Sequence, residues 1–342
     1  MTDDITLFPA EWYPQSGIQL TWPHENTDWA PMLDEVETCF TEIARTILRF
    51  EPLIVVCKDE EHVRGKIGKE GSYPIICCET ETNDTWARDH GGISVFKNGV
   101  PTVYDFVFNG WGLKYPANYD NIITASMVMD DLFAPDVMLE NMRPFVLEGG
   151  SIESDGEGTL LTTEECLCSL NRNDYLCQEE LESYLKDMFG LKQVLWLTHG
   201  YLAGDDTDSH IDTLARFCDP HTIAYACCDD PDDEHYEELQ EMQVELESFR
   251  QLNGEPYKLI PLPMADIRWE GERLPATYAN FLILNGAVLM PVYGLPGDAI
   301  AKSKLEKAFP GREIIPIDCL PLIKQHGSLH CVTMQYPKGF IK

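Results

Sequence analysis

Four short turns in this sequence look alike, and their spacing limits the folds open to the chain. Each separates two apolar, strand-like runs: "GGISVF-KNG-VPTVYDF", "SIES-DGEG-TLLTT", "LARFC-DPH-TIAYACC" and "FLIL-NG-AVLMPVYG". Such short Gly-, Asn- and Asp-rich breaks are hairpin signals, because these residues reverse an extended chain at low cost. The centres lie near Asn98, Gly156, Pro220 and Asn285, at intervals of 58, 64 and 65 residues. Near-constant intervals of this kind mark an internal repeat.

An amphipathic helix is predicted after each turn, over 121–133, 176–189, about 233–251 and 298–309. In the third, Leu239, Met242, Leu246 and Phe249 make one stripe, acidic residues crowd the start, and Asn253-Gly254 ends it. A fifth helix lies near the start, with Leu33, Val36, Phe40, Ile43 and Ile47 on one face and Pro31 in its first turn. Five helices therefore accompany four turns. One more period after Asn285 runs just past the last residue. Two apolar runs lack a partner turn, "GIQLTWP" near the N-terminus and "LHCVTMQYP" near the C-terminus. Pairing them completes a fifth unit. The expected fold is α/β, a five-fold pseudosymmetric α/β propeller whose ring is closed by pairing of the N- and C-terminal strands, which removes exposed sheet edges. A linear α/β sheet is the alternative. No linker or low-complexity tract interrupts the chain, so residues 1–342 are expected to form a single domain.

The unusual polar residues keep the same phase. Asp89 in "TWARDHGG" lies 9 positions before its turn centre, and Glu148 in "VLEGGS" lies 8 before. His210 and Asp212 in "TDSHIDTLARF" lie 10 and 8 before, and Asn280 in "TYANFLI" lies 5 before. The terminal unit supplies "HGSLHCV", with His330 and Cys331 at its strand start. Equivalent strand starts in a closed ring face one axis, so these residues are expected to converge. Each has a bland reading alone: a strand cysteine, a hydrogen-bonded histidine, a turn cap, a local ion pair. The shared phase carries the argument.

Together they provide a thiol nucleophile, an imidazole acid/base and three carboxylates. Crowded carboxylates repel one another and are costly to desolvate, and a cationic ligand relieves both penalties. Guanidinium fits best, because its planar fork takes carboxylates in bidentate pairs. Zinc is a rival for such residues. The sequence lacks the short paired spacings of common zinc sites, and its single CxC, Cys166 and Cys168, has no second pair. Neither GxxxxGK[ST] nor GxGxxG occurs, so no nucleotide, cofactor or metal is expected.

Charge points the same way. The net charge is −33, from 25 basic and 58 acidic residues. That surface repels nucleic acid and anionic lipid and attracts small cations. The acidic opening "MTDDITLFPAEW" lacks the regions of a signal peptide, and no apolar run reaches the ~20 residues of a membrane span. Several of the twelve cysteines, such as those in "PIICC" and "TIAYACC", sit in apolar runs as small hydrophobes. A cytoplasmic chain with reduced thiols is expected.

Longer stretches carry a family resemblance. "EWYPQSGIQLTWPHENTDW", "TWARDHGG", "FNGWG", "LEGGSIESDGEGTLLTTEECLCSLNRN", "DTDSHIDTLARF" and "GSLHC" are together similar to motifs of the agmatine deiminase family, the bacterial-type peptidyl-arginine deiminase group of the guanidine-modifying pentein superfamily. The likeness runs over almost the whole chain. It implies the five-fold propeller and a homodimer. It implies Cys331 as nucleophile, His210 as general acid and base, and Glu148 as the residue that orients His210. Asp89 and Asp212 would clamp the guanidinium, Asn280 would be a polar pocket residue, and Trp86 and Trp111 would shape the pocket. The chain departs from the family at His90-Gly91, at Ser209 and before Cys331, where a Gly-Gly-Asn stretch is missing. These departures bear on the substrate tail rather than on the reacting group.

Agmatine is the expected substrate. A carboxylate on free or C-terminal arginine needs a basic partner, and "DFVFNGWGLKYP" offers only Lys114. The products would be N-carbamoylputrescine and ammonia, a step of polyamine synthesis. A peptidyl- or free-arginine deiminase is one alternative, and a catalytically inactive cation-binding pentein is another.

Overall fold

The computed structural model describes residues 5–69 and 71–342. The four hairpins form where the sequence places them. Their closing pairs are Lys97 with Val100, Ser154 with Leu160, Asp219 with Thr222 and Leu284 with Ala287. Each hairpin's second strand then pairs in parallel with a third strand. A parallel partner cannot be reached by a tight turn, so a helix makes each crossover.

The connection recurs along the chain. Val100–Val107 pairs with Met138–Val146 after the helix Ile123–Met129. Thr159–Thr163 pairs with Gln193–Leu197 after Gln178–Phe189. Thr222–Ala226 pairs with Lys258–Leu262 after Tyr236–Ser248. Ala287–Val292 pairs with Glu313–Asp318 after Gly297–Ala308. The two ends of the chain make the last instance. Thr333–Pro337 lies antiparallel to Gln15–Thr21, which pairs in parallel with Leu53–Cys57 across the helix Leu33–Ile47. The apolar run "PIICC" forms the edge strand Ile75–Glu79, whereas the sequence did not announce the edge strand Thr6–Leu7 or a separate hairpin of Ile267–Trp269 and Glu272–Leu274.

Central strands such as "LIVVC" and "TIAYA" are buried along their whole length, which is why they read as unbroken apolar runs. Val36, Phe40, Ile43 and Ile47 of the first helix have no exposed surface. Two predicted helices are shorter than the periodicity suggests. The 121–133 pattern contracts to Ile123–Met129, with Asp131 just beyond at a positive φ of 58°. The 233–251 pattern contracts to Tyr236–Ser248, because Phe249 turns extended. Pro31 sits in a separate 3-10 turn, Ala30–Met32, ahead of its helix. All twelve cysteines are free thiols. No described helix is long and apolar enough to cross a membrane.

The polar residues are not at strand starts, as the phase argument expected. They lie slightly earlier, in short turns that lead into the strands. Ala87–His90 precedes the strand from Ile93, Gly149–Ser151 precedes that from Ile152, and Ile211–Leu214 precedes that from Ala215. The second and third of these turns, and the one that leads into Thr333–Pro337, close by one device. The hydroxyls of Ser151, Thr213 and Thr333 donate to the carbonyls of Glu148, His210 and His330, at 2.6, 2.9 and 2.9 Å. A turn before each strand lifts side chains out of the pleat, so they project from the sheet end.

Candidate active site

These turns meet at one cavity of about 580 Å³. Asp89, His210, Asp212 and Cys331 line it, with the rings of Trp86 and Trp111. Glu148 and Asn280 do not; both are fully buried behind the wall.

Asp89 is fixed from two sides. Its Oδ2 accepts from the Trp111 indole at 2.9 Å, and its Oδ1 from the Gly150 amide at 3.0 Å. The Trp111 donor is delivered by strained backbone: Gly110, Trp111, Gly112 and Leu113 all have φ between 55° and 81°. Asn109 anchors this loop by accepting from the Gly112 amide at 2.9 Å. Such strain, on the order of 1–3 kcal/mol per non-glycine residue, persists where the surroundings over-determine it, and it clusters at functional sites. Gly150 is needed for space. A Cβ there would stand 2.6 Å from His210 Nδ1 and 2.7 Å from Asp89 Oδ1.

His210 presents Nδ1 to Asp89 Oδ1 at 3.5 Å. Burial alone would lower its pKa, but Asp89, Cys166 and Glu148 raise it well above the ordinary histidine value. Burial pushes Asp89 up to about 6, against the pull of His210. Glu148 was expected to orient His210 directly. Its carboxylate hydrogen-bonds instead to Arg172, whose Nε reaches both oxygens at 3.1 and 2.9 Å. Arg172 also ties Asp208 at 2.6 Å and the Thr207 carbonyl at 2.9 Å. It thereby holds the positive-φ residues Asp208 and Ser209 that introduce His210.

Asp212 is held by His330, whose Nδ1 lies 2.7 Å from Oδ2. Burial pushes Asp212 upward, but His330, His210 and Arg216 outweigh it and hold the carboxyl below its usual value. The other His330 nitrogen meets Glu11 at 2.7 Å, and Glu11 in turn pairs with the buried Arg216. Cys331 Sγ lies 3.4 Å from Asn280 Oδ1 and 4.0 Å from Asp212 Oδ2. Burial first, then Asp212 and Asp89, raises its thiol well above the ordinary value. Asn280 therefore differs from its expected place on the pocket surface. Its Oδ1 accepts from the His330 amide at 2.8 Å and its Nδ2 donates to the Asp212 carbonyl at 3.2 Å, so it fixes the backbone beneath both residues.

Sequence reasoning missed Glu11, Cys166, Arg172 and Arg216, and the outer cavity wall of Asp28, Asp84, Asp205 and Asp206. A lone arginine in the apolar run "TLARFC" was a readable signal for Arg216. The outer carboxylates gave none, being scattered among other surface acids. No lysine or arginine lines the cavity among the described residues. Lys114 is engaged by the Asp206 carbonyl and by Asp208, at 2.6 and 2.7 Å.

A buried thiol, a histidine and paired carboxylates at the ends of repeated strand-and-helix units define a pentein-type fold. That fold is shared with the DDAH of Pseudomonas aeruginosa, at TM-score 0.52 and 11% identity over 95% of this chain and all of that one. The chain belongs to the Porphyromonas-type peptidyl-arginine deiminase family, whose sequence pattern matches residues 7–337. A solved Porphyromonas gingivalis structure, provisionally described as an arginine deiminase, is 56% identical with TM-score 0.94, covering 98% of this chain and 100% of that one. An agmatine deiminase from C. jejuni, solved with substrate bound, is 36% identical with TM-score 0.92, covering 99% and 98%. The agmatine deiminase of Stutzerimonas stutzeri is 32% identical over 365 residues, covering 99% of this chain and 97% of its own.

Proposed function

We propose that this chain is an agmatine deiminase, a hydrolase acting on the C–N bond of a linear amidine. It converts agmatine and water to N-carbamoylputrescine and ammonia, a step toward putrescine. The observation that carries the choice of substrate is the cavity wall. Carboxylates line it from Asp89 and Asp212 out to Asp28, Asp84 and Asp206, and among the described residues no lysine or arginine lines it to receive an arginine carboxylate. A dication with guanidinium inward and amine outward matches that field.

The Cys331 thiolate attacks the guanidinium carbon held between Asp89 and Asp212. His210, cationic at rest, donates its proton to the departing nitrogen, and ammonia leaves a covalent thiouronium on Cys331. His210 then takes a proton from water. The resulting hydroxide adds to the same carbon, the C–S bond breaks to restore the thiolate, and the ureido product departs as its O–H proton passes to solvent, where ammonia takes one up as ammonium. The two carboxylates that disfavour a thiolate in the empty site are neutralised by the substrate, so the substrate itself helps ionise Cys331. Glu148 and Arg172 act by positioning.

Ammonia release from agmatine, free arginine and a peptide ending in arginine, with Cys331→Ala alongside, tests this reading. Release from agmatine alone, absent in the variant, is expected. The second reading is a free- or peptidyl-arginine deiminase, favoured by the family description and the Porphyromonas gingivalis relative. Preference for either arginine substrate would establish it. Cation binding without turnover would mark an inactive pentein.

Acid should weaken the enzyme in a defined way. Burial raises Asp84 to about 7 and Asp89 to about 6. Both are needed as anions, and a raised carboxylate loses its charge as pH falls through its pKa. The value of kcat/KM should therefore decline below pH 7 and steeply below 6. The acid limb of kcat should lie lower, because the bound dication favours the charged forms. A flat kcat/KM from pH 8 to 5 would exclude this.

The same reading takes the repeated sheets as a five-fold propeller ring closed by Gln15–Thr21 and Thr333–Pro337, built from residues 1–342 as one domain. The antiparallel pairing of those strands supports closure. We also place the enzyme in the cytoplasm as a homodimer that binds no nucleic acid. The free cysteines support the compartment and the net charge of −33 the lack of nucleic acid, while the homodimer rests on the family resemblance alone.

A further inference from the structure

Behind the cavity wall, His210 meets two residues that the deiminase reaction leaves without a direct chemical step. One carboxylate oxygen of Glu148, the Sγ of Cys166 and one ring nitrogen of His210 all lie within 4.8 Å of one another. Glu148 and Cys166 have no exposed surface, and His210 is 1% exposed. Nδ1 of His210 faces Asp89, while Nε2 is buried with no oxygen or nitrogen partner among the described residues; the Cys166 thiol is the hydrogen-bonding neighbour that helps raise the imidazole's pKa. A buried nitrogen so weakly satisfied needs an explanation, and a bound ion is one.

We propose that Glu148, Cys166 and His210 form an inhibitory binding site for zinc. Carboxylate, thiolate and imidazole are its usual protein donors, and three of them with one water make a complete tetrahedral set. Donors about 2.0–2.3 Å from a common centre would be drawn closer together than the 4.8 Å within which the three atoms now lie. The thiolate selects zinc over magnesium or calcium, which prefer an all-oxygen shell. The spacing of Cys166 and Cys168 hides this site, because its ligands come from three separate segments of the chain. Arg172 stays on Glu148 and opposes part of the ion's charge. The site is therefore reversible rather than structural. Occupancy takes His210 out of proton transfer. That consequence rests on the role proposed for His210; the binding itself does not.

The test has a spectroscopic arm, an activity arm and a diffraction arm. Cobalt(II) added to the Cys331→Ser protein, which lacks the competing cavity thiol, should bind one equivalent with a thiolate charge-transfer band. Adding Cys166→Ser should remove that band. In the parent enzyme zinc should stop ammonia release and a chelator should restore it. In Cys166→Ser, measured against its own metal-free rate, the half-inhibitory zinc concentration should rise at least about tenfold. Cys166→Ala is the second variant if the serine protein does not fold. Zinc-soaked crystals of the unaltered protein should give an anomalous peak bonded to Cys166 Sγ. A peak at Cys331 alone, a band that survives loss of Cys166, or equal inhibition of both proteins would overturn the proposal. The cobalt and diffraction arms read out even if no substrate is turned over.

Discussion

Replacing Cys331 by serine should lower ammonia release from agmatine by on the order of 10⁴-fold or more, with the fold intact. The nucleophile must be an anion when it meets the guanidinium carbon. Even the thiol is held protonated in the empty site by burial, Asp212 and Asp89. An alcohol in the same place starts far further from ionisation, and one bound cation does not close that gap. The fold should survive because the exchange is nearly isosteric. The backbone contacts that seat the residue, from the Cys331 and His330 amides to Asn280 Oδ1, do not involve the sulfur. Circular dichroism and the thermal midpoint would verify the fold, and a coupled ammonia assay would give the rate. Retained turnover would remove Cys331 from the nucleophile role.

Asp89→Asn should cost about 2–5 kcal/mol in kcat/KM, the range for breaking one side of a buried charged pair. Three losses combine. The guanidinium loses an anionic partner in a place that is 4% exposed and screened little by water. The new amide must turn one donor toward either the Trp111 indole or the Gly150 amide, both of which now donate to Asp89. His210 loses the leading cause of its raised pKa, so less of it carries the proton that ammonia needs. The last effect separates this residue from a merely structural one, because the alkaline limb of kcat should move to lower pH. An unchanged kcat/KM would rule out the clamp.

Much of this architecture could be read from residue order, for identifiable reasons. Turns such as Asn285-Gly286 are local, so their chemistry is written in two or three residues. The stripe of Val36, Phe40, Ile43 and Ile47 is equally local, because a helix repeats within four positions. Of the residues lining the cavity, Asp89, His210, Asp212 and Cys331 were found by phase, although the turns that carry them shift each off the strand start. What stayed hidden depends on contacts between distant segments. Glu11 meets His330 across 319 positions, and no pattern near either predicts the other. Glu148 was assigned to His210 because the resemblance implied it, and Arg172, 24 positions on, holds its carboxylate in this structure. The left-handed run from Gly110 to Leu113 was also illegible, since Trp111 and Leu113 take φ values that their side chains disfavour.

The pairing of the two terminal strands has a consequence for how the molecule comes into being. Gln15–Thr21 is synthesised more than three hundred residues before its antiparallel neighbour Thr333–Pro337. The Tyr336 hydroxyl bonds to Gln19 across 317 residues. Contacts of such length slow folding, because loop-closure entropy is spent before they form. During synthesis that early strand must wait with one edge open. The thiol of Cys331 is made only two residues before this late strand, so the site cannot assemble on a nascent chain until that strand docks.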